Sequence, residues 1–214
     1  MEKLIAPQDE KKILLHSCCA PCTGSIVEDL LTSGIQPTLF FYNPNIQPKN
    51  EYFLRKQEVI KYALKKNIEC IDSDYEPAHW LKTIEDLTLE PEGGARCQKC
   101  FDMRLLKTAL FAKNNNYLIF ATTLGISRWK NLDNVNKAGF DAAKFAGDVL
   151  YWDCNWRKDE RSKRMYEVAR KENFYKQEYC GCVFSLRDSN RLRQSQNKPM
   201  IEIGKKRYEE TSAT

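Results

Sequence analysis

The chain has 214 residues, 42% of them apolar, with nine cysteines and a formal net charge of +5. That length fits one domain with a sizeable buried core, and the composition excludes the disordered class. No stretch approaches the roughly 18 uninterrupted apolar residues of a membrane helix. The first ten residues lack the apolar core of a signal peptide, so a cytoplasmic protein with no membrane role is expected.

Lys12-Ile13-Leu14-Leu15-His16-Ser17 is a short apolar run that stops at Cys18-Cys19-Ala20-Pro21-Cys22-Thr23-Gly24. It reads as a buried strand ending in a loop, with Thr23 or Ser25 capping a helix that Gly34 closes. Thr38 to Tyr42 is a second strand, broken by Asn43-Pro44-Asn45. Phe53, Val59, Ile60, Ala63 and Leu64 give the segment Glu51 to Lys66 a helical period. Ile68 to Ile71 is a third strand. A helix over Gln98 to Lys113 leads to a fourth, Tyr117 to Thr122, and Val149 to Trp152 is a fifth. Lys158 to Lys171 is a strongly charged helix. Beyond Cys182 the pattern is helical for one or two turns, then polar and loosely held. Alternating strands and helices predict an α/β protein, a parallel sheet with helices on both faces. Residues 1–190 are expected to form one catalytic domain carrying the metal site, and 191–214 a polar basic tail.

In open α/β sheets ligands bind beyond the carboxyl ends of the strands. Cys18, Cys19 and Cys22 fall there. They form one of three tight cysteine groups, the others being Cys97/Cys100 and Cys180/Cys182. C-x-x-C and C-x-C spacings bring two thiolates to one metal or cluster from a single turn of backbone, with Gly24 and Gly181 easing tight bends. An odd cysteine count without an export signal argues for metal or redox chemistry over a disulfide framework. Cys70 and Cys154 stand alone and are expected in the core. The gap between the two C-x-x-C pairs is far longer than the roughly 15–20 residues of a zinc ribbon. Iron–sulfur clusters, in contrast, gather thiolates from anywhere in a chain. Seven thiolates suggest a cluster with a second metal, or a cluster with a redox pair. Two other readings stand beside these: a thiol–disulfide oxidoreductase using Cys19 and Cys22, whose inner proline and helix N-terminus suit that chemistry, and a zinc-stabilised RNA-binding module. No cobalamin motif is present.

The charge is unevenly divided. From residue 155 onward there are 15 Lys/Arg against 9 Asp/Glu, whereas the first 154 residues hold 19 and 20. A basic end of this kind is expected to solvate helices or to meet a phosphate backbone.

Leu14-Leu15-His16-Ser17-Cys18-Cys19-Ala20-Pro21-Cys22, then Cys97-Gln98-Lys99-Cys100-Phe101-Asp102-Met103-Arg104, then Tyr179-Cys180-Gly181-Cys182 closely resemble the cobalamin-independent epoxyqueuosine reductases, the QueH family. The resemblance runs from about residue 11 to 190 and includes Thr122-Thr123-Leu124 and Trp156-Arg157-Lys158. It implies an adenine-nucleotide α-hydrolase-like (HUP) fold and reduction of the epoxide of epoxyqueuosine in tRNA to queuosine. It also implies a 4Fe–4S cluster with three-cysteine attachment, a nearby mononuclear iron and an external electron donor. The seven clustered cysteines are then the metal ligands, and Asp102 and Tyr179 the candidate proton donors. His16 is expected to support the ligand loop by hydrogen bonding. An anticodon loop as substrate points to Arg157, Lys158, Arg161, Lys163 and Arg164, with Arg96 and the Trp129-Lys130 pair also facing the RNA. The superfamily's ATP-pyrophosphatase loop is replaced by Cys18 to Cys22, so ATP use is not expected.

Overall fold

The computed structural model describes residues 3–209. Five parallel strands, β1 (Lys12–His16), β2 (Gln36–Phe41), β3 (Cys70–Asp72), β4 (Ile119–Thr122) and β5 (Leu150–Tyr151), form one sheet in the order β3-β2-β1-β4-β5. This is the doubly wound order, and it bears out the α/β expectation. Ile13, Leu14 and Leu15 are fully buried because the sheet is covered on both faces. Helices α1 (Ala20–Thr32), α2 (Lys49–Lys65) and α6 (Arg161–Lys171) pack together, and α4 (Ala95–Asn114) packs on α5 (Leu132–Ala146). Right-handed crossovers on either side of β1 place these two sets on opposite faces. Short α3 (Pro77–Thr83) and α7 (Val183–Ser195) complete the set. No helix among the described residues is long and apolar enough to cross a membrane.

Several local expectations are revised. Helix α1 starts at Ala20 with Cys19 as its N-cap residue, several residues before the predicted cap. Pro21 in the first turn is pre-set for helix and lacks a donor that would be orphaned there. Thr23 instead turns its hydroxyl back to the Cys19 carbonyl at 2.7 Å. Gly24 lies inside α1 and not at a bend; a Cβ there would sit 2.9 Å from Val168 Cγ1, so it sets the approach of α6. Gly181 does occupy a bend, at φ +134. Helix α7 runs for 13 residues, longer than one or two turns. Beyond it the chain returns to the body: Lys176 and Tyr208 donate backbone hydrogen bonds to Lys206 and Phe174, at 2.8 Å each.

Candidate metal centre

The strand order reverses between β1 and β4, and the crevice beyond their carboxyl ends is where a doubly wound sheet takes its ligand. Cys18, Cys19 and Cys22 leave β1 into this crevice, and Thr122 and Thr123 leave β4. His16 braces the junction, with Nδ1 2.8 Å from the Thr122 hydroxyl and Nε2 3.2 Å from the Tyr42 carbonyl. Both ring nitrogens are thus occupied. Burial and the nearby Arg104 charge lower its pKa to about 3, so the ring is neutral.

The three thiol sulfurs lie within 4.8 Å of one another and all three residues are buried. Cys18 and Cys19 sulfurs are 3.7 Å apart. Two sulfurs about 2.3 Å from one tetrahedral ion are separated by about this much, so the trio can bind a metal as it stands. Its charge is already distributed for that task. Hydrogen bonds from Cys19 and Cys22 hold the Cys18 thiol well below its usual range, with Lys130 and Arg104 adding to the effect. Those same bonds, with burial, push Cys19 up to about 12 and Cys22 also upward. Thr123 completes the cradle by accepting from the Cys18 backbone N–H at 3.1 Å.

A second thiol group faces the first. Cys97 and Cys100 sit one turn apart at the start of α4, and Cys182 is the N-cap residue of α7, its sulfur accepting from the Ser185 N–H at 3.4 Å. Burial raises Cys97 to about 11, and charges on Cys180, Cys100 and Cys182 add to that shift. Burial likewise raises Cys100 and Cys182. These four thiols are close enough to repel as thiolates, yet no three of them meet the close spacing of the first trio. A wider ligand set suits a larger group than a single ion. The surroundings point the same way. Arg96 Nε and Nη2 and Arg104 Nε are buried donors without a protein acceptor. Trp80 packs directly with Cys100 and Cys182. Orphaned donors around thiolates fit an anionic occupant with acceptor sulfurs.

Two cations join the groups. Arg104 Nη1 lies 4.0 Å from Cys100 Sγ, and its charge also reaches Cys18. Burial works against the Lys130 ammonium, but the charges of Cys180, Cys18 and Cys22 outweigh it and raise the amine's pKa. Arg104 lies one turn beyond Cys100 on α4, a spacing that sequence reading left unused. Arg55, also unremarked, is buried with Glu51 at 2.6 Å and donates to the carbonyls of Cys180 (3.0 Å) and Tyr179 (3.2 Å). It pins the Cys180 loop over the crevice.

Other expected site residues lie elsewhere or have internal partners. The Tyr179 hydroxyl donates to the Gln47 carbonyl at 2.7 Å. Asp102 accepts from Gln98 Nε2 at 2.8 Å, and the same amide reaches Asn134 of α5. Arg96 is buried, its guanidinium 4.8 Å over the Phe184 ring and donating to the carbonyls of Glu90 and Thr88. Arg157 donates to the carbonyls of Gly125, Ser127 and Lys130. Arg161 and Arg164 both reach Asp29 of α1, at 3.5 and 3.0 Å. Lys158 is exposed. Cys70 and Cys154 are half-buried against the main core, as expected.

A doubly wound sheet with a buried cysteine trio at its switch point defines an α/β protein whose centre can hold a metal. The family description "Epoxyqueuosine reductase QueH" matches residues 13–188, and the chain belongs to that family. Relatives of that name run nearly end to end. The Acinetobacter baylyi protein is 51% identical over 96% of this chain and 94% of its own length. That of Haemophilus influenzae is 50% identical over 97% of this chain and 84% of its own. A more distant one, from Staphylococcus epidermidis, is 37% identical over 83% and 77% respectively.

Proposed function

We propose that the chain reduces the epoxide of epoxyqueuosine in a tRNA anticodon loop to the alkene of queuosine, in the cytoplasm, with electrons from an external donor. The observation that carries this reading is the convergence of two buried thiol groups on Lys130 and Arg104, in a chain 51% identical along its length to an epoxyqueuosine reductase.

Removing the oxygen takes two electrons and two protons, and releases water. Cys18, Cys19 and Cys22 would hold a single iron, their spacing being that of ligands to one ion. Three of Cys97, Cys100, Cys180 and Cys182 would supply the ligands of a 4Fe–4S cluster. Bound there, these groups supply the electrons and a Lewis-acidic position for the epoxide oxygen. The chain's own residues do the rest. Lys130 and Arg104 offset the negative charge of up to seven thiolates, which would otherwise oppose both ionisation of the thiols and reduction of the loaded centre. Arg55, Tyr179 and Gly181 hold the Cys180 loop against α2, which keeps the two thiol groups facing each other. Burial of the thiols keeps bulk water from the reduced centre. Lys158, exposed at the approach to α6, is a phosphate contact of the RNA.

The test is anaerobic reconstitution with iron and sulfide, incubation with tRNA carrying epoxyqueuosine and a chemical reductant, and mass analysis of the released nucleosides. The reading expects a nucleoside lighter by one oxygen atom. Unchanged epoxyqueuosine with a fully loaded protein overturns it.

A further inference from the structure

A cleft of about 370 Å³ opens beside Cys22, between the 126–129 loop and the first turns of α6. Its volume lies within the roughly 300–1,000 Å³ of small-molecule sites. Gln177 and Tyr208 line its far side, so the C-terminal segment contributes to it.

Its features point to one kind of occupant. Trp129 is 76% exposed at the mouth, whereas Trp80, Trp152 and Trp156 are buried at 8% or less. An exposed indole at a cleft that Ile126, Met165 and Tyr166 also line suits a partner that has a flat apolar face. The Arg128 guanidinium lies 5.1 Å from the Trp129 ring, and Lys163, in an exposed ion pair with Glu160 at 3.9 Å, also lines the cleft. Cations flanking an aromatic platform are the means by which proteins hold single-stranded nucleic acid. Deeper in, Gln177 Oε1 is buried with no hydrogen-bond partner. An unpaired buried acceptor is costly, and a donor on a bound molecule would satisfy it. The cavity lined by Glu58, Lys61, Lys65, Glu172 and Arg207 alternates acids with bases and lacks Trp129's counterpart.

We propose that this cleft receives the extruded target nucleoside of the RNA. Trp129 stacks on the base, Arg128 and Lys163 contact the flanking phosphates, and Gln177 Oε1 accepts a hydrogen bond from the nucleoside. The inference rests on the reductase reading, because Cys22 lines the cleft.

The test uses the metal-loaded protein and a synthetic anticodon stem-loop carrying epoxyqueuosine, with intrinsic tryptophan fluorescence as readout. Stacking on the exposed indole is expected to quench emission on titration. Trp129→Phe should lose the quench while keeping affinity within about threefold, since a smaller ring still stacks; Trp129→Ala should weaken binding about tenfold or more and raise KM more than it lowers kcat. A quench that persists in Trp129→Phe, or unchanged affinity in Trp129→Ala, overturns the cleft while wild-type turnover leaves the reductase reading standing. Wild-type protein that binds with the expected quench but never reduces the epoxide overturns that reading and supports the cleft as a nucleoside site.

Discussion

Arg157 Nη2 donates to the carbonyl of Lys130 at 2.7 Å. Further bonds to the carbonyls of Gly125 and Ser127 make this one guanidinium the frame of the whole 125–130 loop. The ammonium that faces both thiol groups is thus placed by a residue that touches neither.

Arg157→Ala should therefore loosen the loop first. Amide hydrogen exchange over 125–130 should rise, turnover should fall, and stability should drop by about 1–3 kcal/mol for the carbonyls left unpaired. Unaltered exchange in that loop would show that other contacts hold it.

The two half-buried cysteines provide a separate check on the division of thiols. Burial raises Cys70 to about 12 and Cys154 to about 11, and both side chains pack against the core. Cys70→Ala and Cys154→Ala should each cost about 1 kcal/mol or less for the small apolar surface lost and leave the iron content unchanged. Loss of iron from either variant would enlarge the ligand set.

Arg161 and Arg164 clasp α6 to the acids of α1, with Asp29 shared between them and Glu28 at 2.8 Å from Arg164. Arg161→Leu leaves half-satisfied carboxylates in a buried setting, and a loss of about 1–3 kcal/mol is expected. The salt dependence of tRNA binding should not change, because this charge never reaches the phosphates. A shallower salt slope in a folded Arg161→Leu protein would return it to the RNA interface.

Gly139 in α5 lies under the Tyr151 ring, where a Cβ would come within 2.4 Å of ring carbons. Gly139→Ala should cost about 1–3 kcal/mol through overpacking and so lower the denaturation midpoint, and an unchanged midpoint would mean that α5 can shift.

That packing also explains what sequence reading missed. The buried face of α5 is Val135, Ala138, Gly139, Ala142 and Ala146; these recur at helical spacing but are small, while the bulky Phe140 and Phe145 are exposed, so no helix was expected there. Strand β1 and the cysteine loop were legible because an unbroken buried run ends abruptly in ligand-type residues. The convergence of Cys97/Cys100 and Cys180/Cys182 was legible only as spacing and resemblance; the fold supplies the contacts. The partners of Arg161 and Arg164 are remote in sequence, on α1, so their charge read as free surface. The same holds for Lys130, whose place depends on Arg157.

Iron and sulfide counts on anaerobically reconstituted serine variants, read beside the visible spectrum, test the two-site centre most directly. Cys18→Ser should lose about one iron and keep the sulfide and the cluster absorbance, whereas Cys100→Ser should lose the sulfide and the absorbance. Equal loss of sulfide from both variants, or a colourless wild-type protein holding zinc, would contradict the account.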